Sequence, residues 1–186
     1  MISKTKFILH GGFTPGGKWG NDELTEEILK NMPQQVRILL VYFAKEPDRI
    51  PKNYGEDVEQ FNNNKKDKEL FFDVAEEGDF RNQVIKSDVV YFHGGSSLKL
   101  LGVLKNFPDL REILTGKVVV GDSAGANVLC KVFYRQSAGE AMEGMGILPI
   151  KIVCHYQDAY KDKVSGIYPD LKTVFLKEYT FEVHEQ

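Results

Sequence analysis

The chain has few cysteines and no long hydrophobic run. Its two cysteines, Cys130 and Cys154, both stand in apolar sequence, where reduced and buried thiols are the usual finding. A disulfide or a cysteine-based metal site is therefore not expected. No stretch approaches the roughly 18 consecutive apolar residues of a membrane-spanning helix, and the amino terminus lacks the apolar segment of a secretory signal. These absences predict a cytoplasmic protein that binds no membrane.

An excess of positive charge is also missing. The 186 residues include 24 Lys and Arg against 27 Asp and Glu, which gives a formal net charge of −3. Proteins that bind nucleic acid usually present a basic surface, so we expect no nucleic-acid partner and instead a small molecule or peptide. The length and the 42% hydrophobic content predict a single domain over residues 1–186. The sequence leaves the oligomeric state open between a monomer and a homodimer.

Short apolar runs alternate with segments of helical spacing along the chain. Nearly continuous apolar runs of this kind are typical of parallel strands that are buried on both faces. Strands are predicted at 6–9, 36–43, 69–74, 89–92, 117–120 and 150–154. Helices are predicted at 22–32, 80–85, 97–104, 109–114 and 124–133. This alternation indicates an α/β fold, a three-layer α/β/α sandwich around a mostly parallel sheet.

Three further segments do not follow this rhythm. Residues 44–54 contain two prolines, and residues 62–68 are strongly polar, so both are predicted to be surface loops. Residues 172–183 contain β-branched and aromatic residues in two short runs, which predicts two short strands or a hairpin.

The segment most informative about chemistry is residues 117–130. An apolar strand leads into Gly121-Asp122-Ser123-Ala124-Gly125 and then into a helix, which is the context of a G-x-S-x-G nucleophile elbow. Flanking glycines allow a tight, strained turn that exposes the serine hydroxyl, and the following helix aims free N–H groups at the same place. We therefore predict that Ser123 is a nucleophile. The alternative is a glycine-rich turn in which Ser123 only caps the helix.

A second glycine turn occurs in residues 89–101, again after an apolar run and before a helix. The carboxyl ends of parallel strands meet at one edge of a sheet, so this turn can lie beside Ser123. Gly94 or Gly95 is then a candidate for a second donor to an oxyanion, because a residue without a side chain allows close approach of the backbone. A phosphate-binding loop or a plain tight turn are the alternatives.

An activated serine needs a base, and the chain contains four histidines. His10 and His93 each begin a His-Gly-Gly turn at the predicted catalytic edge. His155 follows the apolar run 150–154, downstream of Ser123, and His184 lies near the terminus, where a surface position is expected. The residues alone do not choose among His10, His93 and His155.

Two families have motifs similar to these. The elbow together with His10-Gly11-Gly12 resembles the GDSAG and HGG motifs of the hormone-sensitive-lipase branch of the α/β-hydrolases. Those enzymes place an acid and then a histidine far beyond the serine, and too few residues follow Ser123 here. The chain resembles peptidase family S51, the dipeptidase E and cyanophycinase group, much more closely. The similar segments are 93–101, 121–127 and 149–156.

The resemblance to family S51 implies a fold like that of class I glutamine amidotransferases, which is flavodoxin-like. It also implies that Ser123 is the nucleophile and that His155 is the base. The backbone N–H groups of Gly95 and Ala124 are implied to form the oxyanion hole. No metal and no organic cofactor are implied.

The acid that completes the triad is less well defined by the resemblance. Residues 176–181 resemble a cyanophycinase segment at Glu178, whereas dipeptidase E uses an aspartate between the serine and the histidine, where this chain has Glu140 only approximately in place. Asp158 is a third possibility, and we rank the three as Glu178, Glu140 and Asp158. The second glycine turn has Ser96-Ser97 where the family usually has an amide or an acid.

The implied activity is that of a serine peptidase of the dipeptidase E type. It would hydrolyse a peptide or isopeptide bond of a small peptide, next to an aspartate, through an acyl-enzyme. Binding an aspartate requires a cation, and Arg135 is the candidate, with a plain surface arginine as its alternative. Two other functions remain open, a non-catalytic binding or regulatory module on this scaffold and an esterase that uses the same serine.

Overall fold

The structure is a computed structural model that describes residues 4–13 and 21–186. Its strands are β1 (Lys6–His10), β2 (Gln35–Val41), β3 (Glu69–Val74), β4 (Val89–Phe92), β5 (Val118–Asp122), β6 (Cys130–Arg135), β7 (Glu140–Glu143), β8 (Leu148–Val153), β9 (Thr173–Phe175) and β10 (Phe181–Glu185). Its helices are α1 (Asp22–Leu29), α2 (Ile50–Asn64), α3 (Phe80–Lys86), α4 (Ser97–Leu104), α5 (Leu110–Ile113) and α6 (Ala124–Leu129). Two short 3-10 turns cover Pro47–Arg49 and Asp158–Tyr160.

The larger sheet has six strands in the spatial order β10-β1-β5-β4-β2-β3. All neighbouring pairs are parallel except β1 and β10. In the register of this sheet His10 lies opposite Asp122 on β5, and Phe92 of β4 lies opposite Gly121. The carboxyl ends of β1, β4 and β5 therefore meet at one edge, where the glycine turn after β4 and the Ser123 elbow after β5 both follow.

Alternating side chains of the larger sheet enter two separate apolar clusters. Phe7 and Leu9 of β1 pack in the cluster that includes residues of α3, α4, α5 and α6, while Ile8 packs with residues of α1 and α2 on the opposite face. A sheet with parallel strands buried on both faces needs helices on both sides. The predicted three-layer α/β/α arrangement with mostly parallel strands is confirmed.

The structure contains a second sheet, with the spatial order β7-β6-β8-β9. Here β6 pairs antiparallel with β7 and parallel with β8, which pairs parallel with β9. The run 150–154 thus belongs to this second sheet and not to the larger one. Phe133 and Ile152 of the second sheet pack in the same cluster as α4 and α6, so this sheet forms part of one outer layer.

The helix predicted at 22–32 ends at Leu29 and the strand predicted at 36–43 ends at Val41. Three other predicted elements were wrong in type over part of their length. The helix expected at 124–133 ends at Leu129, because the β-branched and aromatic residues that follow it form β6 between β7 and β8. The loops expected at 44–54 and 62–68 are each only partly loop, because α2 takes up residues 50–54 of the first and 62–64 of the second. This helix accommodates Pro51 in its first turn, where a missing N–H costs nothing. Phe61 anchors α2 in the core.

The carboxyl-terminal segment forms two short strands, as one of the two alternatives predicted. They do not form a hairpin, because β9 joins the second sheet and β10 joins the larger one. The connection between them therefore crosses from one sheet to the other. Within the residues that the structure describes, no helix is long and apolar enough to cross a membrane.

Candidate active site

Ser123 stands on a strained turn between β5 and α6. Its φ of 48° and ψ of −98° lie in a region that residues with a side chain rarely adopt. Glycine is required on both sides of it. A Cβ at Gly121 would lie 2.6 Å from the backbone nitrogen of Ala126, and a Cβ at Gly125 would lie 2.1 Å from the carbonyl oxygen of Phe92. The turn therefore has the geometry of a nucleophile elbow.

The side chains of Ser123, His155 and Glu178 form a continuous chain of contacts. Oγ of Ser123 lies 2.9 Å from Nε2 of His155, and Nδ1 of His155 lies 2.9 Å from Oε1 of Glu178. Both distances are within hydrogen-bond range. His155 and Glu178 are partly accessible, with 29% and 35% of their side chains exposed. A base within reach of a hydroxyl, held in turn by a carboxylate, is the arrangement needed to activate a serine.

The turn that follows β1 helps to place His155. The N–H of His155 donates to the carbonyl of Gly11 at 2.9 Å. A Cβ at Gly12 would lie 2.3 Å from Nε2 of His155, so only a glycine leaves room for the imidazole. On the other side, Nε2 of Gln136 donates to the carbonyls of Cys154 and His155, at 2.7 and 3.1 Å. The backbone on either side of the imidazole is thus held by contacts from β1 and from the end of β6.

The same glycine turn places Glu178. Gly11 donates its N–H to the carbonyl of Thr180 at 2.9 Å, and Tyr179 donates to the carbonyl of Gly12 at 2.9 Å. These bonds fix the connection between β9 and β10 where it crosses from the second sheet to the larger one. Glu178 lies in this connection and therefore meets His155 from the side opposite Ser123.

The predicted oxyanion donors lie beside the serine. Ala124 is the first residue of α6, where helical geometry leaves the N–H without an intrahelical acceptor. Gly95 has a φ of 149°, and a Cβ there would lie 2.4 Å from the carbonyl oxygen of Ala44. Among residues 4–13 and 21–186, no backbone carbonyl accepts a hydrogen bond from either N–H. Both groups are therefore available to a developing negative charge.

A polar cavity of about 260 Å³ opens next to Ser123. It lies between the start of α4, the elbow and the end of β6. Its lining residues are Gly95, Ser96, Ser97, Leu98, Ser123, Asn127, Tyr134, Arg135, Gln136, Ser137, Cys154 and His155. Ser96 is the N-cap of α4 and accepts a hydrogen bond from the N–H of Lys99 at 3.3 Å, which gives the unusual Ser-Ser pair a structural role.

The sequence also matches a known family of enzymes. The family model described as peptidase family S51 matches residues 8–175, which is most of the sequence. The chain belongs to peptidase family S51. It is therefore a hydrolase of the peptidase class, and the serine type fits this family, as the resemblance implied.

Solved structures show the same fold. A crystal structure of a peptidase from an acI-B1 Actinobacterium superposes with a TM-score of 0.68 at 22% sequence identity, over 99% of this chain and 84% of that one. A crystal structure of a putative peptidase E protein from Listeria monocytogenes EGD-e superposes with a TM-score of 0.65 at 16% identity, over 99% and 98%. At these identities the likeness concerns the fold. Comparison with curated proteins gives no match.

The three candidate acids of this S51 peptidase lie in different places. Glu178 contacts His155, as described above. Glu140 instead accepts a hydrogen bond from Nη2 of Arg135 at 2.6 Å, and Arg135 itself lines the cavity beside Ser123. Asp158 begins a 3-10 turn, where its hydrogen bond with the Tyr156 hydroxyl contributes, after partial burial, to a raised pKa of that tyrosine. The structure thus brings Glu178, and neither of the other two acids, to His155.

The remaining histidines lie away from the serine hydroxyl. His10 is fully buried with Nδ1 2.8 Å from Oδ1 of Asp122. Burial would raise the pKa of Asp122, but the hydrogen bond from His10 outweighs it and lowers that pKa below its usual value. His93 is buried beside Asp57. His184, expected at the surface, is only partly exposed, with 18% of its side chain accessible.

Some of these residues had not been assigned a role from the sequence. The sequence indicates Gly12 only as part of a glycine turn. Nothing in the sequence indicates a role for Gln136, because its contacts are with residues distant in the chain.

Both cysteines are free and buried, and burial raises the pKa of Cys154 well above its usual value, so this thiol is not a competing nucleophile in the cavity. In the described part of the chain, no group of three His, Cys, Asp or Glu residues could hold a metal ion.

Proposed function

We propose that this S51 peptidase cleaves a peptide or isopeptide bond of a small peptide through an acyl-enzyme on Ser123. The observation that carries the proposal is the unbroken contact chain from the Ser123 hydroxyl through His155 to Glu178, with 2.9 Å at each step. The strained backbone of Ser123 supports it, since strain of this kind concentrates at functional sites.

The first half-reaction forms the acyl-enzyme. Nε2 of His155 takes the hydroxyl proton while Oγ of Ser123 bonds to the carbonyl carbon of the substrate, and the carbonyl oxygen gains the negative charge. The N–H groups of Gly95 and Ala124 stabilise this charge. When the C–N bond breaks, His155 returns the proton to the leaving amine.

The second half-reaction releases the acid. His155 takes a proton from a water molecule, which attacks the ester carbonyl, and it then returns a proton to Oγ of Ser123 as the C–O bond breaks. Glu178 accepts a hydrogen bond from the Nδ1–H of His155 throughout. This bond holds the tautomer that leaves Nε2 free to accept a proton, and it stabilises the imidazolium that forms in each half-reaction.

The cavity residue Arg135 supports a preference for a peptide with an aspartate next to the scissile bond. Arg135 is one of the residues that line the cavity beside Ser123, and a cation that reaches a bound substrate would compensate the desolvation of a substrate carboxylate. Arg135 is already paired with Glu140, so a substrate carboxylate would share the guanidinium with a protein carboxylate.

The test is the mass of the intact protein after incubation with a fluorophosphonate. One adduct is expected, located on Ser123, in the folded protein and not after heat denaturation. Ser123→Ala should give no adduct, whereas Ser165→Ala, which removes an exposed hydroxyl between β8 and β9, should react like wild type. Absence of the adduct together with no hydrolysis of any dipeptide would favour a binding module.

Comparison of substrates tests the finer part of the proposal. Hydrolysis of Asp-Leu should exceed that of Asn-Leu, which has nearly the same shape without the charge. A charge-assisted hydrogen bond contributes about 1.5 to 3 kcal/mol, which predicts a ratio of kcat/KM of roughly 10 to 150. Efficient hydrolysis of aryl esters without hydrolysis of either dipeptide would instead identify an esterase.

A further inference from the structure

The peptide unit between Gly94 and Gly95 contains one of the two proposed oxyanion donors. It is a trans peptide, so its C=O and its N–H point in opposite directions. Neither residue has a side chain that would restrict rotation of the peptide plane. The N–H of Gly95 is therefore aimed at the cavity only when the carbonyl of Gly94 is held on the far side.

A buried side chain contacts this carbonyl. Nδ1 of His93 lies 3.3 Å from the carbonyl oxygen of Gly94. The imidazole is only 3% exposed and packs against the rings of Tyr42 and Tyr91, with centroid separations of 5.3 and 5.8 Å. Its backbone N–H donates to the carbonyl of Val41 at 3.0 Å. The ring therefore has little freedom to move away from Gly94.

The second ring nitrogen of His93 faces a buried carboxylate. Nε2 lies 3.4 Å from Oδ2 of Asp57, a residue of α2 that is 4% exposed. The same oxygen accepts a hydrogen bond from the hydroxyl of Tyr42 at 2.6 Å. A carbonyl oxygen only accepts hydrogen bonds, so Nδ1 must carry a proton to bond to Gly94. A proton on Nε2 as well makes the ring a cation, whose charge then lies 3.4 Å from the carboxylate of Asp57.

The surroundings of His93 also favour the charged ring. Burial alone would lower the pKa of His93, but the negative charges of Asp57 and then of Asp122 on β5 outweigh it and raise that pKa. Lys45, which follows β2, opposes this effect with its positive charge. Two other ionisable side chains, Tyr42 and Tyr91, pack on the ring, and burial raises the pKa values of their hydroxyls, so both stay neutral.

We propose that His93 is a positioning residue, whose Nδ1–H holds the Gly94 carbonyl and thereby aims the Gly95 N–H into the oxyanion hole. The inference deepens the proposed function and rests on it, because the role of Gly95 as a donor belongs to that proposal. Asp57 keeps the ring charged from the far side. The charged imidazole of His93 also polarises the peptide unit through its hydrogen bond to the Gly94 carbonyl. This leaves more positive charge on the N–H of Gly95, which would face the substrate.

The effect of His93 should be seen in the rate and not in ground-state binding, since an oxyanion donor acts most strongly where negative charge develops. Two substitutions separate its two nitrogens. His93→Asn places an amide where Nδ1 stands, so the donor to Gly94 is kept. His93→Gln reaches towards Asp57 instead, so the donor to Gly94 is lost. Both variants are neutral and close in volume.

The experiment compares the rates at which a fluorophosphonate labels Ser123 in the wild type and the two variants. For His93→Gln the maximal labelling rate should fall about 10- to 100-fold, while the half-saturating probe concentration changes less than about threefold. His93→Asn should stay within about fivefold of the wild type, since it keeps the donor. Equal rates in all three proteins, or equal losses in the two variants, would overturn the role of Nδ1.

The design separates this inference from the proposed function. If the wild type itself is not labelled at Ser123, the proposed function fails. If the wild type is labelled and both variants are labelled at the same rate, only the role of His93 is overturned. If a variant does not fold, the protonation state of His93 in the wild type still tests the proposal. Long-range ¹H–¹⁵N spectra should show a proton on Nδ1 of His93, and a bare Nδ1 would rule the proposal out.

Discussion

Glu178 contacts His155 while its carboxylate is partly exposed to water, which limits its electrostatic effect on the imidazole. Its Oε1 lies 2.9 Å from Nδ1 of His155, and 35% of its side chain is exposed. Solvent screens a charge in such a position, so the attraction to a protonated His155 is weaker than it would be in a buried pair. We therefore expect Glu178 to act mainly by holding the orientation and the tautomer of the imidazole.

Substitution of Glu178 tests this division between orientation and charge. Glu178→Gln keeps an oxygen that accepts from Nδ1–H, so kcat should fall about 10-fold, whereas Glu178→Ala removes the acceptor and should lower kcat about 100-fold. Asp158→Asn is the control, because this carboxylate interacts with the hydroxyl of Tyr156 and not with His155. Its kcat should equal that of the wild type. Steady-state rates on the substrate that the peptidase accepts provide the measurement. Equal losses in the glutamine and alanine variants would contradict the argument.

At the scale of elements, the elbow depends on the close packing of α6 against β4. Gly125 lies within α6, and its Cα approaches β4 so closely that a Cβ would overlap the carbonyl oxygen of Phe92. This approach places the first turn of α6, with its free N–H groups, at the end of β5. A wider separation would move the N–H of Ala124 away from the place proposed for the oxyanion.

A pair of glycine substitutions tests the packing of α6. Gly125→Ala should lower the free energy of unfolding by roughly 1 to 3 kcal/mol, because the backbone of β4 cannot move away cheaply. Gly102→Ala is the matched control in α4, where a Cβ meets nothing within 4 Å. It should raise the free energy of unfolding by roughly 0.5 to 1 kcal/mol, since alanine favours the helix. Urea denaturation measures both, and a change of the same sign in the two variants would contradict the packing argument.

At the scale of the whole molecule, the ends of the central strands enclose a group of buried ionisable residues. Asp57 comes from α2, His93 follows β4 and Asp122 ends β5, and each is less than 6% exposed. Charges removed from water in this way are tolerated when opposite charges lie close to them. Folding therefore brings together partners that are far apart in the chain, and the stability of the fold should depend on their protonation.

The pH dependence of stability follows from the raised pKa of His93. A group whose pKa is higher in the folded state stabilises the fold fully below its unfolded pKa, which is about 6.5 for histidine, and loses this contribution as the pH rises through the folded value. The wild type should therefore exceed His93→Asn in free energy of unfolding by more at pH 6 than at pH 9. Urea denaturation at the two pH values measures the difference. A gap that stays constant or widens towards pH 9 would contradict the assignment of charge to His93.

Much of the fold could be predicted because the information is local. Apolar runs indicate the strands β1 to β5 of the larger sheet, and the elbow from Gly121 to Gly125 is visible in five consecutive residues. The prediction that failed most clearly, a helix through residue 133, failed because the pairing of β6 with β7 and β8 overrides the local helical spacing. The prolines before and within α2 hid that helix, since proline at a helix start resembles proline in a loop.

The sequence by itself determined the class of fold and the position of Ser123 on an elbow. Together with the family resemblance, it also predicted His155 as the base. Three acids remained for one place, and only the tertiary structure brings Glu178, in the crossing between the two sheets, within 2.9 Å of His155. The contact of His93 with Gly94 and Asp57 was equally out of reach, because it joins β4 to α2. Motifs are set by neighbours along the chain, whereas contacts between distant segments exist only after the sheets and helices have packed.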